Sequence, residues 1–157
     1  MQFIELYTKM SRPGKFRKDI RIIGIDPGQT TGVSVWEGTH LIRADQLHTK
    51  EMPDAAVHME EFIALWNPTH IVMEAYRIYS WKTKQHAGSD VHTLRLIGAI
   101  QYIAHLRGIP VIFQGAGQGK GFCTDEKLKE WGFYQTAFRH ANDAIRHVAH
   151  YLLFGRK

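Results

Sequence analysis

Four residues have the types and spacing to do chemistry together. Asp26 ends the apolar run IRIIGID and is followed by Pro27 and Gly28. Glu74 lies inside IVMEAY, and His140 and Asp143 stand three apart in RHANDAIRHVAHYLLF. Each has an ordinary explanation when taken alone: Asp-Pro-Gly is common turn material, a strand glutamate can face water, and histidines can line the wet side of a helix. Jointly they are more specific. A carboxylate at an otherwise buried position is costly unless it is paired, hydrogen-bonded or bound to a cation. Residues at i and i+3 of a helix can converge on one ion. Carboxylate oxygens with at most one imidazole suit Mg²⁺ or Mn²⁺ better than zinc, and the chain has no HExxH or paired Cys/His pattern. Two such ions, about 3.5–4 Å apart, activate a water and stabilise the leaving oxygen in phosphodiester hydrolysis.

The elements that must position these groups follow from hydrophobic period. IRIIGID is apolar on both alternating faces, as in a strand buried in mid-sheet. TTGVSVWEG and HLIRADQLH follow at short spacing and complete an antiparallel meander. After Pro53-Asp54 the period changes, with Met59, Phe62, Ile63 and Trp66 on one helical face and Asn67-Pro68 as the stop. HIVMEAY is a second buried strand. A long helix capped by Asp90 carries Leu96, Ala99, Ile100 and Ile103 to Gly108, and PVIFQ is a fifth strand. GAGQGKG is expected to be a flexible loop, and the last helix is expected from about Tyr134 to Phe154. On it Ala141, Ala144, Ile145, Val148 and Leu152 form an apolar stripe, bordered by His140, Asp143, His147 and His150. The order β-β-β-α-β-α-β-loop-α predicts an α/β fold with a five-stranded mixed sheet flanked by helices. Asp26 and Glu74 then fall at strand ends, where open α/β sheets place their sites.

The 157 residues, 44% of them hydrophobic, suffice for one core and hardly two. We expect a basic arm over residues 1–19, with Lys9, Arg12, Lys15, Arg17 and Lys18, and a single domain over 20–157. Met10 is a candidate internal start, which would make the first nine residues dispensable. The lone Cys123 excludes an intrachain disulfide and a thiolate zinc cluster and favours a reducing interior, with the cytoplasm as the default. No apolar run approaches the roughly 20 residues that span a bilayer. A formal charge of +5 favours a polyanionic partner.

Directly after Glu74, the segment AYRIYSWKTK interleaves Tyr76, Tyr79 and Trp81 with Arg77, Lys82 and Lys84. Aromatic faces for unstacked bases and cations for phosphates are what distorted or single-stranded DNA requires; the bland reading is that the tyrosines complete the core. Lys120, in the glycine-rich stretch, is a candidate point charge for phosphate. Because Gly121 follows it, the stretch is no P-loop and no nucleotide cofactor is expected.

On IIGIDPGQTTG, IVMEA and HANDAIRHVAHYL, the chain resembles the RuvC-type Holliday junction resolvases of the RNase H-like superfamily, especially small phage-encoded ones, over nearly all of Ile20 to Phe154. The resemblance implies a four-membered, two-metal site at Asp26, Glu74, His140 and Asp143. It also implies four-way or branched DNA as substrate, a homodimer with two symmetry-related sites, and products with a 5′-phosphate and a 3′-hydroxyl. His140 departs from the more usual aspartate, so weaker Mg²⁺ binding and relatively better activity with Mn²⁺ are expected. The dimer is expected through the helix from Asp90 to Arg107. Other readings stay open: another RNase H-like nuclease acting on RNA–DNA hybrids or ribosomal RNA, or a non-catalytic junction-binding module. An actin-like ATPase also opens on such a turn, but 157 residues supply barely one of the two subdomains it needs.

Overall fold

The computed structural model describes residues 1–11, 19–76 and 87–155. Five strands form one sheet in the order β3-β2-β1-β4-β5. Strands β1 (Arg21–Asp26), β2 (Thr30–Glu37) and β3 (His40–His48) make the antiparallel meander; β4 (His70–Ala75) and β5 (Val111–Gly115) lie parallel to β1. Helices α2 (Asp54–Trp66) and α3 (Ala87–Leu106) are the crossovers that make parallel pairing possible. Asn67 ends α2 in the left-handed conformation, with φ 42°, and so turns the chain into β4.

Side chains alternate across the sheet, and the two faces are covered differently. Ile23, Ile25, Val33, Val35, Ile71 and Met73 point to α2 and α3, meeting Met59, Ile63, Leu96 and Ile100 in a fully apolar layer. Ile22, Trp36 and Val72 point the other way, towards α6 (Arg139–His150) and its single π-helical turn, Tyr151–Gly155. Asp26, Gly24, Gly32, Ser34 and Glu74 share that second face by the same alternation.

The structure departs from the sequence reading at four places. The GAGQGKG segment is a helix, α4 (Ala116–Phe122), rather than a loop. Glycine's poor helix propensity is overridden by packing, since Gly119 is buried and a Cβ there would lie 3.3 Å from the Arg146 Cβ and 3.4 Å from the His147 ring. The last helix starts at Arg139 instead of Tyr134, preceded by the short α5 (Asp125–Glu130) and an irregular segment. That segment is fixed by the buried Asn142, which accepts from the Gln135 N–H at 2.8 Å and donates to the Gln135 carbonyl at 2.9 Å. Helix α3 begins three residues before Asp90, the expected cap. Residues 3–10, expected within the basic arm, form helix α1 (Phe3–Met10). Its Phe3 and Tyr7 are buried, and Phe3 stacks edge-on against Trp131 and Phe133 beside Trp36. Both side chains belong to the apolar layer on the α6 side of the sheet. The other basic residues of the arm, Arg12 to Lys18, lie outside the described residues.

Candidate active site

The site forms where α6 crosses the carboxyl ends of β1 and β4. Two glycines allow that crossing. A Cβ on Gly24 would overlap the Ala144 carbonyl, and one on Gly32 would overlap the His140 carbonyl one turn earlier. The helix backbone therefore rests on the sheet backbone. Gly32 is the register partner of Asp26, so the same contact sets the start of α6 beside the first carboxylate. Gln46 on β3 completes the seat, its Oε1 accepting the His140 backbone N–H at 2.9 Å. The helix has no side-chain cap of its own, and Gln46 satisfies one of its orphan donors.

Asp26 closes β1 and leads into a turn tied down by threonines. Thr49 Oγ1 donates to the Gly28 carbonyl at 2.7 Å, and the buried Thr31 hydroxyl lies 2.6 Å from that of Thr49. Gly32 lies inside β2, where its role is the close approach of α6.

Asp26, Glu74 and Asp143 act on one another. Burial, then the Glu74 and Asp143 carboxylates, push Asp26 up to about 8. Glu74 is held below its ordinary value, first by a hydrogen bond from His147. Both oxygens of Asp143 meet cations: Oδ2 lies 3.1 Å from Lys120 Nζ, and Oδ1 accepts from Arg146. Arg146 also pairs with Asp125 on α5 and donates from Nε to the Cys123 carbonyl at 2.9 Å. Burial opposes the charge on Lys120, but Asp143, Glu74 and Asp26 outweigh it and raise the ammonium above its usual value.

Of the predicted ligands, Asp26, Glu74 and Asp143 come together. His140 stands at the exposed entrance to α6, tied to β2 and β3 through its backbone. Lys120 lies on α4 at the site itself, paired with Asp143, where a phosphate-contacting loop was expected. Tyr76, a candidate base-stacking ring, packs against the apolar core at the end of β4. Arg77, Tyr79, Trp81, Lys82 and Lys84 lie outside the described residues.

The donor set fits a divalent cation. Burial, with the neighbouring Glu74 and Asp143 carboxylates, keeps a proton on Asp26 near neutrality, and a cation would relieve the repulsion among the three. As the side chains stand, no three His, Cys, Asp or Glu among the described residues are arranged as a ligand set. A cation would have to draw Asp143 from Lys120 and Arg146.

Two neighbours escaped the sequence reading as site residues. His147, placed only on the polar stripe, is 1% exposed and bonded to Glu74. Arg146 was not singled out. Their signal was the i+3 and i+4 spacing from Asp143, which puts both one turn along the same helix.

No family model and no curated protein matches the chain. Solved structures do match. RuvC from Thermus thermophilus, in complex with a Holliday junction substrate, superimposes with a TM-score of 0.68 over 87% of this chain and 95% of that one, at 18% identity. The yeast mitochondrial Holliday junction resolvase Ydc2 gives 0.57 over 94% and 85%, at 13% identity. The fowlpox virus Holliday junction resolvase gives 0.57 over 85% and 97%, at 12% identity. With its strand order and the helix crossing its central strands, the chain therefore has the RNase H-like fold, in the form found in junction resolvases.

Proposed function

We propose that this chain is a divalent-metal-dependent endonuclease that resolves four-way DNA junctions by paired phosphodiester hydrolysis. The observation that carries this reading is the convergence of Asp26, Glu74 and Asp143 at the ends of β1 and β4 and on α6. Two Mg²⁺ or Mn²⁺ ions, held by these three with His140 at the rim, would supply an activated water and Lewis-acid stabilisation of the leaving oxygen. The chain's own residues provide the rest. The threonine-tied turn holds Asp26 in place, the glycine seat fixes Asp143 relative to it, and Lys120 sets a positive charge at the site for the incoming phosphate.

Cutting two opposed strands calls for two sites related by symmetry. Helix α3 supports a homodimer, because it buries Leu96, Ile100 and Ile103 against the sheet yet leaves Val91, Leu94, Tyr102 and Leu106 exposed. The basic composition and reducing-type cysteine usage agree with DNA as partner and the cytoplasm as compartment.

The test is a labelled four-way junction incubated with the protein or its Asp26→Asn variant, in Mg²⁺ and in Mn²⁺, beside linear duplex and RNA–DNA hybrid. Paired nicks at the junction by the unmodified protein only, stronger in Mn²⁺, are expected. Cleavage of the hybrid alone would make the chain a ribonuclease, and tight junction binding without cleavage would make it a binding module.

A further inference from the structure

Behind Glu74 lies a buried polar chain that the hydrolytic reading does not use. In the parallel pairing of β4 with β5, Glu74 and Gln114 are register partners, so their side chains leave the sheet side by side towards α6. His147, one helical turn beyond Asp143, reaches both. Its Nε2 lies 3.1 Å from Glu74 Oε2 and its Nδ1 3.2 Å from Gln114 Oε1. His147 is 1% exposed and Gln114 5%, and the surrounding layer is apolar, with Ala144, Val148 and Val72 buried nearby on the same elements. Burying two polar side chains there costs stability unless their bonds are made. An aliphatic pair would fill the space more cheaply.

We propose that His147, held in orientation by Gln114, is a positioning residue that fixes the Glu74 carboxylate for cation binding. A carboxylate only accepts, so Nε2–H donates to Oε2 and leaves Nδ1 to accept; the Gln114 amide, turned about so that its N–H₂ takes the place of Oε1, donates to Nδ1, and the Nε2–H bond sets the plane of the carboxylate beside Asp26. Glu74 turns about three side-chain torsions, the last of them broad, and the His147 bond removes freedom in that last torsion before the cation arrives. Partners of this kind behind metal ligands change affinity by about 10–100-fold when removed.

This inference rests on the metal reading above, and the experiment separates the two. Mn²⁺ binding to the full chain is measured by titration calorimetry for the unmodified protein and for His147→Leu, His147→Gln and Gln114→Leu, with thermal melts as a check on folding. His147→Leu is expected to weaken Mn²⁺ binding by about 10–100-fold, while His147→Gln, whose amide nitrogen can take the place of Nε2, stays within about threefold of the unmodified protein. Gln114→Leu, which removes the partner of His147 and leaves the His147–Glu74 pair in place, is expected to fall between them and carries the test if His147→Leu does not fold. Unchanged affinity in His147→Leu and Gln114→Leu, or equal losses in His147→Leu and His147→Gln, would overturn the proposal. No Mn²⁺ binding by the unmodified protein would overturn the metal reading and this proposal with it. Mn²⁺ binding with the expected losses but no junction cleavage would overturn the substrate assignment and leave His147 in its role.

Discussion

The two faces of the central sheet are built on opposite principles. Against α2 and α3 the sheet presents Ile23, Ile25, Val33, Val35, Ile71 and Met73, all fully buried, and the layer is filled by large aliphatic side chains. Against α6 it presents Gly24, Gly32 and Ser34 in the centre, with Asp26, Glu74 and Gln114 at one end. The first face keeps the helices at side-chain distance. The second brings a helix backbone onto the sheet backbone and spends the remaining space on buried polar contacts, His147 and Asn142 among them. The difference separates stability from chemistry: one face can lose volume and keep its site, whereas the other cannot gain a methyl group without moving the site.

Substitution of the carboxylates should give the largest effect. Asp26→Asn, Glu74→Gln or Asp143→Asn is expected to lower junction cleavage by on the order of 10²–10³-fold or more, the scale of losing a group that stabilises charge in a transition state. Single-turnover rates measure it. Because Asp26 is buried and flanked by two carboxylates, Asp26→Asn should at the same time melt higher than the unmodified protein in chelator. A lower melting point would break the link between crowding and function.

Filling the glycine seat compares the faces directly. Gly32→Ala drives a Cβ into the His140 carbonyl, where only backbone can give, and is expected to cost about 1–3 kcal/mol and most of the activity. Ile100→Ala on the other face is expected to cost about 2–5 kcal/mol yet leave the cleavage rate of the folded protein within about twofold. Urea melts with rate measurements decide; activity lost equally in both would erase the distinction.

The pH response is smaller and has a definite sign. Folding raises Asp26 from an ordinary value near 3.8 to about 8, so the folded chain keeps a proton that the unfolded chain releases. The stability this contributes is fully present below about pH 4 and is lost as the pH rises towards 8. Glu74, held below its usual value, acts in the opposite sense but only below about pH 5. Urea melts in chelator between pH 5 and pH 8 should therefore decline more steeply for the unmodified protein than for Asp26→Asn. Parallel curves would mean that Asp26 ionises normally.

Lys120 should matter least for folding. Its side chain is half exposed, and such ion pairs are worth about 0–1 kcal/mol. Lys120→Gln is expected to leave the melting point nearly unchanged while weakening junction binding, read by fluorescence anisotropy.

Much of this was legible in the sequence because it follows from local periodicity. The alternation of IRIIGID, the stripe of Ala141, Ala144, Ile145 and Val148, and the stop at Asn67-Pro68 each correspond to an observed element or buried face. The misread segments depend on tertiary contact. Helix α4 forms from a glycine-rich stretch because Gly119 packs on α6, and α1 joins the core because Phe3 finds Trp131 and Phe133. No spacing rule links Gln46 to His140, 94 residues away, or His147 to Glu74, 73 away. The strand-end carboxylates could be found by asking which charges fall where burial is expected. Their partners required the fold.

The most direct test of the central claim is cleavage of a supercoiled plasmid carrying an extruded cruciform, followed in time by gel. The account predicts that plasmid is converted directly to linear form by coupled opposed incisions, and that the Asp26→Asn protein yields neither linear nor nicked product. Accumulation of nicked circles without coupling would contradict the paired-site dimer, and undiminished cleavage by Asp26→Asn would contradict the active site itself.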